Sequence, residues 1–438
     1  MLKVTTPLLA LLAPFAPCFN GPVHDTFCLM VVAWIACLGR RTISRVWQTT
    51  GRADQEDHSK AYRLFNQAAW NWDCLAQVFL LELLGDLIPG SRLWLVIDDT
   101  LCHKRGAKVA FGGIFLDAVL SSKKHKCFRY GVNWVTLGVV VHLPFRQDRP
   151  FCVNLLWRAY SKKVKGLPHR TKTQLARELL DLVAGWLPEG RLAYAVADGF
   201  YVGRQLLHGL PEQVHVIGAV HPKASLSRPL GPTADRRRKV GEALPKPTEL
   251  LNDPGCGADE LLLPLPKGGH KRLTVKVVKG VCWYPAAGSR RLQLVLLRDP
   301  EGVWRDELLL STDVDLPAQE VVLGYLKRWS VEVAYEDSKQ LLGLHDPMVW
   351  SELAVQRAHP LAWFVGGLTV VWYARYGQYE EQAHWQRPWY NTKPGITFAD
   401  MLATLRLHLW RSALDEAPAG ERNALLDWLL HYVATATD

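Results

Sequence analysis

The sequence has no apolar run long enough to cross a membrane. Its longest apolar runs lie at about residues 26–38 and 360–374, and both are shorter than the roughly 18 residues that a membrane helix needs. The sequence also lacks a G-x-x-x-x-G-K-[ST] loop for nucleotide phosphates, and it shows no internal repeat. These absences argue against a membrane role and against a nucleotide cofactor.

No C-x-x-C pair occurs among the nine cysteines. Pairs at that spacing are typical of zinc modules, and an even number of cysteines is typical of secreted disulfide frameworks. We therefore expect neither kind of structure. Most of the cysteines should be buried, reduced thiols in a cytoplasmic protein.

Acidic residues are almost missing from one long stretch of the chain. Between Ala118 and Arg177 there are thirteen Lys or Arg and one acid, Asp148, although the whole chain carries a net charge of only +10. A solvated surface is usually mixed in sign. We therefore favour a basic patch that faces phosphates over a solvated surface without a partner.

The first 90 residues have the apolar spacing of helices. Between the apolar segments lies a polar, basic stretch from Arg40 to Arg63. A small helical DNA-binding domain has this pattern, and so does a helical cap with a solvated face. The sequence alone leaves both interpretations open.

From Arg92 onward the hydrophobic period changes and predicts an α/β region. Strands are predicted at 93–97, 132–143, 151–157, 192–197 and 214–220, and helices at 171–186 and 203–207. This order is the early topology of a ribonuclease-H-like core. Farther on we predict strands at 273–283, 291–298 and 303–310, a long helix at 317–342, and helices at 361–376, 398–410 and 423–433.

Carboxylates follow two of the predicted strands. Asp98 and Asp99 come after 93–97, and Asp198 comes after 192–197. Charges at the end of a buried strand are costly unless something compensates them, and a metal ion is one such compensator. A polar turn or a helix N-cap would explain each motif separately, but two neighbouring strands would bring the carboxylates to one edge of the sheet.

A stripe of polar residues lies along the predicted helix 317–342. At about 100° per residue, the side chains of the stripe fall within roughly 60° of one another; they are Tyr325, Arg328, Glu332 and Lys339. The stripe suits a metal-bound phosphate. It also suits a solvated charged face on which Glu336 pairs with Arg328 or Lys339.

These four residues match the Y-(2)-R-(3)-E-(6)-K signature, and the sequence therefore resembles the bacterial insertion-sequence DDE transposases. Asp98-Asp99-Thr100, followed by Lys104-Arg105, looks like the first-aspartate motif of that family, and Ala197-Asp198-Gly199 resembles the second. The resemblance covers roughly residues 92–345.

The resemblance implies a mixed-sheet, ribonuclease-H-like α/β core with a β-rich insertion before the glutamate helix, flanked by helical ends. The implied division is a DNA-binding domain at 1–90, the first part of the core at 91–220, the insertion at 221–312, the glutamate helix at 313–345 and a helical region at 346–438.

The family's roles also carry over residue by residue. Asp98, with Asp99 as the alternative, would form the catalytic, metal-binding triad with Asp198 and Glu332. DNA would be contacted by Tyr325, Arg328, Lys339, Lys104 and Arg105. Two Mg²⁺ ions, or Mn²⁺ as a substitute, would be the cofactors, and a dimer would act on double-stranded DNA in the bacterial nucleoid.

Two other functions fit the same residues. A nuclease of this fold could cut DNA without transposing it, and strand transfer would distinguish the two. A catalytically inactive DNA-binding relative is the other alternative, although such a protein would more often have lost a carboxylate.

Overall fold

A computed structural model describes residues 2–166, 168–231, 239–265, 269–382 and 395–435. The N-terminal region is helical, as the apolar spacing predicts. Asn20, Thr42 and Asn71 cap the helices that follow them by accepting hydrogen bonds from backbone N–H groups. The helices are α1 (Thr6–Leu12), α2 (Gly21–Ala36), α3 (Ile43–Thr49), α4 (Ser59–Asn66) and α5 (Trp72–Val78).

Ten strands of the described chain form one sheet. They are β1 (Arg92–His103), β2 (Gly113–Leu116), β3 (Phe128–Leu143), β4 (Arg146–Tyr160), β5 (Leu192–Ala197), β6 (Val214–Ala219), β7 (Asp259–Pro264), β8 (His270–Cys282), β9 (Arg291–Arg298) and β10 (Glu307–Ser311). Their order is β2-β3-β1-β5-β6-β10-β9-β8-β7, and β4 also pairs with β3.

The centre of this sheet is a ribonuclease-H-like core. β4, β3 and β1 pair antiparallel, and β1, β5 and β6 pair parallel. Two helices, α6 (Lys172–Trp186) and α7 (Arg204–Leu207), connect β4 to β5 and β5 to β6. The predicted α/β class and mixed sheet are confirmed. Strands β7 to β10 extend the sheet antiparallel beyond β6.

The remaining helices lie between the later strands and at the C-terminal end. They are α8 (Pro247–Asn252), α9 (Tyr284–Ala287), α10 (Ala318–Leu326), α11 (Trp329–Gln340), α12 (Glu352–Ala358), α13 (Leu361–Arg375), α14 (Phe398–Asp415) and α15 (Arg422–Ala434). α13 is buried along nearly its whole length. Within the described residues, no helix combines the length and apolar character that a membrane crossing needs.

Several predicted elements have other bounds in the structure, and two of these differences affect the site. Strand β1 does not stop at Ile97 but continues to His103, because β3 still pairs with it after β5 has ended. The predicted helix 317–342 is two helices, separated at Lys327 and Arg328. Hydrogen bonds spanning three residues, such as Arg328 N–H to the Tyr325 carbonyl at 3.0 Å, tighten the chain there.

Most of the cysteines are reduced, as expected, but one pair is not. Cys18 and Cys74 form a disulfide across 56 residues of sequence. The spacing argument considered only cysteines that are close in sequence, whereas α5 folds back beside the end of the first helical segment. The other seven cysteines are free, and five of them are buried.

This disulfide should contribute measurably to stability. Because it closes a long loop, Cys18→Ser/Cys74→Ser should lower the free energy of unfolding by about 2–4 kcal/mol. Denaturant unfolding of the oxidised protein measures this loss, and Cys256→Ser, which removes a free thiol, is the control. Equal unfolding midpoints for the double variant and the wild type would contradict the prediction.

Candidate active site

Asp98 and Asp198 lie side by side on neighbouring strands. Ile97 and Ala197 are the last parallel pair between β1 and β5, and the residue after each of them is an aspartate. Neighbouring strands are about 4.8 Å apart. The Asp198 carboxylate also accepts a hydrogen bond from the Phe200 N–H at 2.9 Å, which fixes the turn after β5. The structure thus brings together the two predicted aspartates.

The Asp98 carboxyl is short of compensating positive charge. Burial raises its pKa to about 7, and the charges of Asp99 and Asp198 add to this rise. The Asp99 N–H, which donates to Asp98 at 2.8 Å, and the guanidinium of Arg328 oppose it only partly. A cation at this position would therefore stabilise the ionised carboxylate.

Asp99 points to the opposite face of the strand, as the alternation of β1 requires. One of its oxygens accepts a hydrogen bond from Lys172 Nζ at 2.6 Å, and the other accepts one from the Tyr201 hydroxyl at 2.8 Å. Both carboxylate oxygens of Asp99 are thus already paired on the side of α6. This arrangement favours Asp98 over Asp99 as the first carboxylate of the site.

Arg328 connects Asp98 to the glutamate helix. Its Nη1 lies 2.8 Å from Glu332 Oε1 and 3.6 Å from Asp98 Oδ2. Burial opposes the charge, but Glu332 and Asp98 together raise the pKa of the guanidinium above its usual value. Glu332 is therefore close to Asp98, and a cationic group stands between the two carboxylates.

The break between α10 and α11 places Tyr325 at the same site. Its hydroxyl interacts with Arg328, and burial together with the charge of Glu307 raises its pKa. α10 can approach the sheet closely because Gly324 has no Cβ, which would overlap the Trp94 ring. Three residues of the predicted stripe therefore still lie close together, although they do not share one continuous helix; they are Tyr325, Arg328 and Glu332.

A family model described as DDE superfamily endonuclease matches residues 14–259, more than half of the chain. The chain belongs to the DDE endonuclease superfamily. No curated protein matches it. The matched range contains Asp98 and Asp198 and ends before Glu332, so the assignment of the third carboxylate depends on the geometry described above.

DDE endonucleases act on DNA and use divalent metal ions, and the carboxylates here fit such ions. Asp98, Asp198 and Glu332 offer the hard oxygen ligands that Mg²⁺ prefers, and Asp98 lacks a full counter-charge. Among the described residues, no three acidic, imidazole or thiol groups converge closely enough to enclose an ion. In this conformation the guanidinium of Arg328 takes the position between Asp98 and Glu332.

Lys339, the last residue of the signature, lies away from the carboxylates of this DDE endonuclease. Seven residues of helix separate it from Glu332, or about 10 Å. It lines a cavity of about 490 Å³ together with Arg40, Arg41 and Arg406. Burial lowers the pKa of its ammonium group. Lys339 thus connects the glutamate helix to the basic stretch of the N-terminal region.

The two predicted basic residues after β1 have different surroundings. The Lys104 ammonium donates hydrogen bonds to the carbonyls of His345 at 2.6 Å and Pro347 at 3.1 Å, and burial lowers its pKa. Arg105 is exposed. Of this pair, Arg105 is therefore the side chain that is free to contact a ligand, whereas Lys104 fastens the turn after α11 to β1.

Sequence reasoning missed the partners of Asp99. Lys172 belongs to the basic stretch between Ala118 and Arg177, but its ammonium group pairs with Asp99. Tyr201 is buried, and no spacing or motif singled it out. The only available signal was its position three residues after Asp198, where the turn after β5 returns toward the sheet.

Proposed function

We propose that this chain is a transposase of the group with the Y-(2)-R-(3)-E-(6)-K signature. It nicks DNA at transposon ends and joins the freed 3′-hydroxyl to target DNA. The observation that carries the proposal is that Arg328 lies between Glu332 and Asp98, which in turn is beside Asp198. Hydrolysis and joining are both displacements at phosphorus, so one site serves both reactions.

In this proposal Asp98, Asp198 and Glu332 would hold two Mg²⁺ ions, for which Mn²⁺ could substitute. When bound, such a pair activates the attacking oxygen and stabilises the leaving oxygen. Arg328 and Tyr325 would contact the phosphate that is cut, and Lys339 and Arg105 would contact the DNA backbone. Lys104 contributes by holding the turn at His345 in place.

The proposal also assigns a role to each region of the chain. The helical region 1–90 binds DNA, 91–220 and 313–345 form the catalytic core, 221–312 is the insertion, and 346–438 is the C-terminal helical region. Two ends must be brought together, so the protein acts as a dimer on double-stranded DNA, in the cytoplasm at the nucleoid.

The test is a strand-transfer assay with labelled DNA that carries the element's ends, target plasmid and Mg²⁺. A transposase nicks the ends and produces labelled joined plasmid. Nicking without any joined product would favour the nuclease of the same fold. Binding of the ends without cutting in either Mg²⁺ or Mn²⁺ would leave only a DNA-binding function.

Metal affinity should depend on pH through Asp98. Its pKa is raised to about 7, so below this pH the metal-free site carries a proton that an incoming ion must displace. We expect Mn²⁺ to bind roughly tenfold more weakly at pH 6 than at pH 8, measured by calorimetric titration. Asp337→Asn is the control, because Asp337 is a buried carboxyl with a pKa of about 6 that lies outside the site.

If the affinity of the wild type were the same at pH 6 and pH 8, Asp98 would not be a ligand that has to ionise. If Asp337→Asn removed the pH dependence, the titrating group would be Asp337 instead.

A further inference from the structure

The hairpin of β2 and β3 leaves an apolar face uncovered at the edge of the sheet. Leu116 pairs with Phe128 across the two strands, and these side chains are 45% and 59% exposed. Ile114, on the same face, is 58% exposed, whereas the alternate residue Phe115 is buried against Tyr160. Exposed apolar faces of this kind mark contact surfaces.

The turn at the tip of this hairpin is rigidly built. The buried carboxylate of Asp117 accepts hydrogen bonds from the N–H groups of Val119 at 3.0 Å and Leu120 at 3.1 Å. His103 Nε2 lies 2.5 Å from its other oxygen. Val119 and Leu120 are nevertheless 82% and 51% exposed. The turn therefore presents two apolar side chains outward.

Two basic segments converge on this hairpin. The loop 161–166 follows β4 and lies next to β2, since Lys162 Nζ is 5.2 Å from the centre of the Phe115 ring. The exposed cations of the two segments have no acidic partner among the described residues; they are Lys123, Lys124, Lys126, Arg129, Lys162, Lys163 and Lys165. We call residues 114–130 together with 161–166 the hairpin surface.

The hairpin surface lies beyond the carboxylates, in the direction in which β1 continues after Asp98. His103 pairs with Gly131 at the base of the hairpin, five residues beyond Asp98 on the same strand. Five strand residues span roughly 17 Å. A DNA duplex whose cut phosphate lies beside Asp98 would therefore reach the hairpin surface within a few base pairs.

We propose that the hairpin surface binds duplex DNA beside the cut site. Its lysines neutralise phosphates, and Val119 and Leu120 press into the groove. Unpaired cations around a protruding apolar tip suit a polyanion whose groove admits apolar side chains. A second copy of the chain fits poorly, because a symmetric contact would bring the same cations together. The inference deepens the proposed function and rests on it.

The lysines are tested by the salt dependence of DNA binding. Each phosphate contact contributes about 0.9 to the slope of log affinity against log salt. Lys123→Gln/Lys124→Gln/Lys126→Gln should therefore reduce the slope by roughly 2 to 3 and weaken binding roughly 10- to 100-fold at 0.1 M salt. Lys3→Gln/Arg272→Gln/Arg411→Gln changes the net charge equally at exposed ion pairs and should leave the slope unchanged.

The apolar tip is tested in the same titration. Val119→Ser/Leu120→Ser should weaken binding at every salt concentration without changing the slope, because no phosphate contact is lost. Leu430→Ser/Val433→Ser removes two similarly exposed apolar side chains from α15 and should have no effect.

The binding assay separates this proposal from the proposed function. If the lysine and tip variants bind DNA with the wild-type slope and affinity, the hairpin surface is not a DNA contact, whether or not the protein cuts DNA. If these variants lose binding as described while the wild type cuts no DNA, the surface is a DNA contact and the catalytic proposal fails.

Discussion

Asp98→Asn should lower the rate of DNA cleavage by about 10³-fold or more, whereas Asp99→Asn should keep most of the wild-type rate. The two residues are adjacent, but β1 directs them to opposite faces. Asp98 faces Arg328, and Asp99 pairs with Lys172 and Tyr201. The amide of Asn removes the negative charge that a metal ion requires, and in the Asp99 variant it can still accept a hydrogen bond.

Nicking of labelled DNA under single-turnover conditions measures both variants, and gel-shift binding controls for folding. Asp98→Asn should bind DNA with wild-type affinity. Nicking by Asp98→Asn together with its loss in Asp99→Asn would reverse the assignment and make Asp99 the first carboxylate.

Arg328→Ala should reduce cleavage by about 10²- to 10³-fold, which is typical for loss of a cation that stabilises charge in the transition state. It should also change the response to metal. Without the guanidinium, Asp98 and Glu332 have no bridging cation in the metal-free protein. The variant should therefore unfold at a lower temperature in EDTA and gain more than the wild type when Mg²⁺ is added.

Lys327→Ala is the matched control, since the neighbouring ammonium lies over the Trp94 ring and not at the carboxylates. It should cut DNA at nearly the wild-type rate and show the wild-type gain with Mg²⁺. Equal thermal gains in Arg328→Ala and the wild type would mean that Arg328 does not stand in for a metal ion.

The buried parts of the fold could be predicted from sequence because their signals are local. The strands predicted at 192–197 and 291–298 coincide with β5 and β9, since the first is an apolar run that ends at Asp198 and the second has the alternating pattern of a strand. The extension of β1 through Asp98 and Asp99 could not be predicted in this way. Those residues are strand because β3 pairs with them, and a tertiary contact of this kind leaves no local pattern.

The residues of the candidate site could be predicted from the sequence, but their arrangement in space could not. The spacing of the signature singled out Arg328 and Glu332, yet nothing in Lys327-Arg328-Trp329 marks the end of one helix and the start of another. The choice between Asp98 and Asp99 as the first carboxylate required knowing which face of β1 each side chain lies on. The charge of Lys172 places it in the predicted phosphate-facing patch, because counting charges cannot detect an ion pair with a residue 73 positions away.

The central claim is that Glu332 completes a metal-dependent active site with Asp98 and Asp198, and the family match ends before this residue. The most direct test compares cleavage of labelled end DNA in Mg²⁺ by the wild type, Glu332→Gln and Glu336→Gln. Glu336 lies one turn farther along α11, exposed and bonded to Gln340. We expect Glu332→Gln to bind the DNA without cutting it and Glu336→Gln to cut normally. Cleavage by Glu332→Gln at the wild-type rate would contradict the account.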